Sequence, residues 1–287
     1  MPGGDIFGFT SSTDIGEPCS FSYAAEFTGL TGKRDGRYLA VTKKSQFGYT
    51  YSDRLAFAVS PFVSAFGWKD VSVEHDIMLG TGTGVEMSSL STVGFDGLSA
   101  EASLRVLSRT PDQPFAVTLS AEPRFFRLDG FSGTGYRAEG GQIEFKLFAD
   151  VAVSERLFAA MNAVYAFGRS RLNIEGAGRL KVSAVAFSTA LAYQAYRADI
   201  GSVQGVFFGA EVRYLRGFDG LTLNTRIGEA WLAGPTLAIA FKGGSMLNVV
   251  WTPQLAGRAS PAAAAGALDL DNCERHQFRV KFAVPLQ

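Results

Sequence analysis

Opposite charges recur at short, even spacings along this chain. Glu101 precedes Arg105, Glu122 precedes Arg124 and Glu144 precedes Lys146, by two or four residues each time. On an extended backbone such spacing puts both side chains on one face. The same face, followed strand by strand, carries Glu26, Lys44, Asp150, Glu211, Arg213, Arg279 and Lys281. Two chemistries fit it. It can be the charged wall of a pore that selects solutes by size and field. Alternatively it is a network of cross-strand ion pairs that fills a narrow interior.

Other chemistry is thinly represented. His75 lies in VEHDI between Glu74 and Asp76, inside a long polar stretch, and reads as a solvated loop residue. His276 opens the final segment and reads as an interface residue. Neither is accompanied by a nucleophile motif of the G-x-S-x-G kind. The glycines of GTGTG at 80–84 lack the Lys-Ser/Thr and the helix of a phosphate loop. We therefore expect no catalytic residue, no metal ligands and no cofactor. Basic and acidic residues balance at 27 each, so nothing points to nucleic acid as a partner.

The elements that must position the charged face are strands. HQFRVKFAVPLQ alternates residue by residue, with Phe278, Val280, Phe282 and Leu286 on one parity and Gln277, Arg279 and Lys281 on the other. SFSYAAEFTG, GLSAEASLRVL, PFAVTLSAEPRFF, GQIEFKLFADV and GVFFGAEVRYL repeat the pattern. Pro61 interrupts LAFAVSPFVSAF and favours a bulge there. Counting through the chain gives about twelve strands, each near the ~9–11 residues that a tilted membrane strand needs. Short turns (YSDR, SRTPDQP, SER, KGGS) interleave with longer loops at 67–94, 169–179, 217–227 and 258–273. No run approaches the ~20 apolar residues of a membrane helix.

Period alone leaves open whether the apolar face meets lipid or a protein core. Strand length, alanines on the apolar parity and aromatics near strand ends all favour lipid. The aromatics are Tyr49, Tyr51, Phe66, Trp68, Phe125, Tyr165, Phe167, Tyr193, Tyr214, Trp231 and Trp251, and interfacial girdles would place them so. The expected fold is all-β: a transmembrane antiparallel up-and-down barrel over residues 19–287. Residues 1–18 form an N-terminal segment that stays periplasmic or enters the lumen. The opening MPGGDIFGFTSSTDIGEP carries no secretory signal, so either the protein stays in the cytoplasm or a leader has been removed.

The chain resembles Gram-negative outer-membrane β-barrels over its whole length, most specifically in HQFRVKFAVPLQ, and TGKRDGRY followed by YSDRL is similar to a group of uncharacterised proteobacterial barrels. The resemblance implies the bacterial outer membrane, a removed leader, periplasmic termini and delivery by the barrel-assembly machinery. Such chains usually end on an aromatic residue, whereas this one ends in Leu286-Gln287. Cys19 then starts the first strand at one face of a ~25 Å apolar band and Cys273 precedes the last strand at the other. That is far beyond the about 7 Å that a disulfide spans, unless residues 1–18 carry Cys19 into the lumen. Arg169, Arg171, Arg179, Lys181, Arg258 and Arg275 fall at extracellular strand ends, where they suit lipopolysaccharide phosphates or form a solvated rim. The expected function is a monomeric, porin-like channel for passive diffusion of small hydrophilic solutes. The alternatives are a plugged structural or surface-interaction barrel and, third, an outer-membrane hydrolase using His75 or His276.

Overall fold

The computed structural model describes residues 6–71, 89–110, 112–130, 135–173, 179–259 and 267–286. His75 and the 80–84 glycines lie outside the described residues. Alternating sequence becomes alternating strand throughout: β1 (Ser20–Thr31), β2 (Arg37–Thr50), β3 (Leu55–Lys69), β4 (Ser89–Leu107), β5 (Phe115–Leu128) and β6 (Arg137–Ala152) are followed by β7 (Leu157–Leu172), β8 (Arg179–Ile200), β9 (Val203–Asp219), β10 (Thr225–Phe241), β11 (Met246–Ala259) and β12 (His276–Leu286). Every strand pairs antiparallel with its sequence neighbours, and β1 pairs with β12 from Phe21↔Leu286 to Thr31↔His276. The barrel is closed, so no strand edge is left unpaired.

The strands run 11 to 22 residues, longer than the ~9–11 that a bilayer requires. Part of the excess lies beyond the apolar band at the long-loop end, where strands continue as a collar, and β8 and β9 also run on past the start of β7 at the short-turn end, from Gln194↔Phe207 to Ile200↔Val203. Residues 89–93, expected within the long 67–94 loop, belong to this collar as the start of β4. The register between β3 and β4 slips beside Pro61, between Phe62 and Val63, which leaves Asp96 as an extra residue on β4.

Burial decides which face looks outward. Phe21 is 57% exposed and Phe125 71%, whereas Glu122 is 5% and Glu211 1% exposed. Large exposed apolar side chains follow the outward parity all round the barrel, far beyond the few hundred Å² that a soluble surface leaves uncovered. The apolar band is a lipid-facing surface. Rings pack in tilted pairs along it, with Phe21–Tyr49 and Tyr214–Trp231 centroids each 4.7 Å apart. Phe66 and Trp68 do not join this girdle. They fall on the inward parity of β3 and pack inside with Tyr38, Ala40 and Leu128, with Trp68 edge-on to Tyr136 at 6.4 Å.

Candidate functional site

All thirteen charged residues singled out above lie on the inward parity, and most gather on the β1–β6 side of the lumen. Lys146 Nζ lies against Glu122, 3.4 Å from Glu101 and 3.5 Å from Glu144. Lys44 Nζ reaches the other Glu122 oxygen at 2.9 Å. Hydroxyls supply further donors: Ser99 Oγ to Glu122 at 2.6 Å and Ser120 Oγ to Glu101 at 2.5 Å. Glu26 meets Arg279 at 3.3 Å across β1 and β12. Two of the pairings suggested by sequence spacing do not form. Arg124 turns to Asp96 at 2.6 Å, and Ser64 Oγ donates to the same carboxylate at 2.8 Å. Arg105 pairs with Asp14 at 3.4 Å. Asp96 is not recognisable from sequence spacing because the bulge moves it out of step with its neighbours.

Residues 6–18 enter the lumen from the start of β1. Positive φ at Gly16 (91°) and Cys19 (58°) turns the chain inward, and the Cys19 amide stays on the rim by donating to Thr50 O at 2.8 Å. The segment then follows the wall around the barrel. Thr50 Oγ1 donates to Ile15 O at 2.5 Å and Thr118 Oγ1 to Thr13 O at 2.9 Å. Asp150 accepts from both the amide (2.7 Å) and the hydroxyl (2.8 Å) of Thr13 and also pairs with Arg109. Glu211 accepts from the Thr10 amide at 3.0 Å, and the Asn248 amide donates to Phe7 O. The Arg213 guanidinium lies 3.9 Å from the centre of the Phe9 ring and donates to Gln277 Oε1 at 2.6 Å. Thus Asp150, Glu211 and Arg213 hold the chain's own N-terminal segment.

The opposite side of the lumen is apolar. Inward positions on β7–β11 include Phe158, Ala160, Ala190, Ala192, Phe207, Ala238, Ala240 and Met246, and they enclose Ile6 and Phe7. Nearer the long-loop end, residues 267–275 fold inward over this wall. Gln254 Nε2 donates to Asp269 O at 3.2 Å and Asn272 Nδ2 to Ile227 O at 2.9 Å. Lys33 pairs with Glu274 at 2.9 Å and Arg34 with Asp271 at 2.5 Å. Burial raises the Asp269 carboxyl above the ordinary carboxylate range. It pushes the Cys273 thiol up further still, helped by Glu274 and Asp269. Both cysteines are free, and the inward path of residues 6–18 leaves Cys19 outside. Among the described residues no cluster of ligands could hold a metal ion.

Residues 1–286 match the Family of unknown function (DUF6662). The chain belongs to that family. No functionally curated protein matches its sequence. Its fold is shared with the COG4313 outer membrane channel from Pseudomonas putida F1, at a TM-score of 0.60 and 9% identity over 94% of this chain and 96% of that one. The beta domain of the Bordetella autotransporter BrkA superposes with a TM-score of 0.55 and 11% identity, over 93% and 100%. These likenesses concern architecture: the DUF6662 chain is a closed twelve-stranded barrel of the kind those outer-membrane proteins share.

On the outside of this DUF6662 barrel, above the apolar band, runs a row of cations. Arg169 and Arg171 on β7 and Arg179 and Lys181 on β8 are exposed, alternating with inward Gly168, Ser170, Leu172 and Leu180. Their register puts Arg169 opposite Lys181 and Arg171 opposite Arg179, a square of four like charges. Arg258 is exposed on the outward side of β11, opposite Glu229 on β10. Arg275 is exposed as well but stands apart from this row. It precedes β12 on the parity of Gln277 and Arg279, its backbone tied to Gly32 O and the Gln254 amide, each at 2.7 Å. His276 faces outward against Trp251, ring centres 5.8 Å apart.

Proposed function

We propose that this barrel is an outer-membrane channel for small hydrophilic solutes, held closed by its own residues 6–18. The observation that carries the reading is how that segment is attached. It is covalently joined to the wall at one end, belongs to no strand, and is held by side-chain hydrogen bonds (Thr50, Thr118, Asp150, Glu211, Asn248) together with Ile6 and Phe7 seated against the apolar wall. Its departure breaks no ladder hydrogen bond and leaves the barrel closed on itself. The wall it uncovers on the β1–β6 side is charged, so water and polar solutes have a path there.

Planar-bilayer recording tests the gate. The whole chain should give rare, brief openings, and a chain lacking residues 1–17 should conduct steadily. A truncated barrel that keeps its heat-modifiable, folded migration in SDS gels yet passes no current sinks the proposal. That result would favour a second reading, a filled barrel acting through its surface, to which the density of ion pairs around Lys146 already lends support. We further propose that the square of Arg169, Arg171, Arg179 and Lys181, together with Arg258, holds lipopolysaccharide phosphates, with the chain working as a monomer.

A further inference from the structure

The long-loop half of the lumen holds a cavity of about 290 Å³ between the β7–β10 wall and residues 267–275. Its wall is made by Ala166, Val182, Ala184, Ala186, Leu215 and Ile227, and Gln142, Asn272 and Cys273 close one end. Small residues make the room. The loop can approach because position 228 is glycine, where a Cβ would run into the Asp269 carboxylate. Such a wall is out of place in a lumen that is charged on its other side, since apolar surface facing water costs free energy in proportion to its area.

The same wall continues toward the periplasmic end, and there its occupant is visible. Ile6 and Phe7 fill the pocket formed by Phe158, Phe207 and the alanines of β7, β8 and β10. Among the described residues, the chain thus covers the lower half of this wall with apolar side chains of its own and leaves the upper half without one. We propose that the upper cavity is a binding site for an uncharged, mainly apolar small molecule. The volume lies at the lower edge of ligand pockets, which start near ~300 Å³, and suits a single ring or a medium-length chain. Neighbouring polar groups are already engaged: Asn272 with Ile227 O and Asp269, and Asp271 with Arg34. Of the charged residues lining it, Arg216 is paired with Glu229 at 3.8 Å and Asp271 with Arg34, so neither charge is left for an ionic ligand and the preference is for a neutral molecule over its acid.

The inference goes beyond the gated-channel reading and is tested at equilibrium, without current. The full chain, methyl-labelled and placed in lipid nanodiscs, is titrated with 1-decanol, decanoate or mannitol. Decanol should shift the Leu215 and Ile227 methyl resonances saturably, with decanoate at least about tenfold weaker and mannitol silent. Ala184→Phe fills the cavity and Ala166→Leu fills it more gently. Either variant should abolish saturation while lipid-facing Leu191 and Val249 resonances keep their wild-type response. Equal, non-saturating shifts at Leu191, Val249, Leu215 and Ile227 would mean partitioning into lipid and would overturn the site. So would an unchanged titration in both filled variants.

Discussion

The Glu211 carboxylate accepts a 3.0 Å hydrogen bond from the amide of Thr10, a residue 201 positions earlier in the chain, at a depth where Glu211 is 1% exposed. A charged acceptor buried this far is strongly committed to its donor. Replacing it with an isosteric apolar group releases the strap and frees Arg213 of its nearest carboxylate, 3.9 Å away. A hydrogen bond to a charged group contributes about 1.5–3 kcal/mol, or about 10- to 100-fold in an equilibrium. Glu211→Leu should therefore lower hydrogen-exchange protection of residues 9–13 by about that factor and lengthen channel openings. Unchanged protection would show that the strap is held elsewhere.

Lys146 is the hub of the charged wall, placed among Glu101, Glu122 and Glu144 with little solvent access. Removing a buried ion-pair partner leaves uncompensated charge and costs about 3–5 kcal/mol. Lys146→Met should destabilise the folded barrel by that order, read as an earlier midpoint in urea unfolding in micelles. Adding Glu122→Gln removes one of the stranded carboxylates and should recover part of the loss. A fully additive double variant would mean that the two groups do not interact.

Much of this architecture is legible in the sequence because lipid enforces strict alternation. In β12, Phe278, Val280 and Phe282 face outward and Gln277 and Arg279 inward, as their parity requires. Legibility fails where both faces have similar chemistry. LFAAMNAVYAF and VSAVAFSTALAY carry alanine and valine on both parities, which conceals the apolar inner wall. It fails at the Asp96 bulge, where the parity of β4 changes. It also fails for Phe66 and Trp68, whose positions near a strand end suggest a girdle although their parity points inward. The destination of residues 6–18 is not legible either, since Asp150, Glu211 and Asn248 are distant in sequence and no periodicity links them to Thr13, Thr10 and Phe7. The clue available was Ile6, Phe7 and Phe9 standing in a Gly/Ser/Thr stretch that no strand pattern explains.

The outward cation square should make the barrel sensitive to its lipid. Arg171 opposite Arg179 and Arg169 opposite Lys181 place like charges across adjacent strands, an arrangement that is destabilising by itself, offset at Arg171 by the exposed Glu139 opposite it on β6, and relieved further by a bound anion. Arg169→Gln, Arg171→Gln, Arg179→Gln and Lys181→Gln combined should cut retention of bisphosphorylated lipid A at least about tenfold in delipidation assays, because several charge-assisted contacts are lost together. Dephosphorylated lipid A should bind both proteins equally weakly. Equal retention of phosphorylated lipid A by both would refute the contact.

The two cysteines should differ sharply toward alkylating agents. Cys19 is exposed on the rim at the short-turn end, whereas burial, with Glu274 and Asp269 nearby, raises the Cys273 thiol well above its usual range. The thiolate is the reactive form. At pH 8, N-ethylmaleimide should label Cys19 at least about tenfold faster than Cys273 in the folded protein, with both labelled alike after denaturation. Peptide mapping by mass spectrometry reads this directly, and equal rates in the folded state would contradict the inward placement of residues 267–275.

Asp269 makes closure of the same loop depend on pH. Burial raises its carboxyl above the free value of 3.8, Asp271 adds to the rise, and the Asn272 hydrogen bonds and Lys33 oppose it. The docked loop therefore binds the proton more tightly than the undocked loop. Its contribution to docking is complete below the free value and is lost as pH rises through the docked one. Hydrogen-exchange protection of residues 267–275, corrected for intrinsic exchange, should be greater at pH 4 than at pH 8 when wild type is measured against Asp269→Asn. The ion pairs Lys33–Glu274 and Arg34–Asp271 are common to both chains, so the difference between them isolates Asp269. Protection that falls on acidification in that difference would reverse the sign and show that the carboxylate, not the acid, is the form the loop prefers.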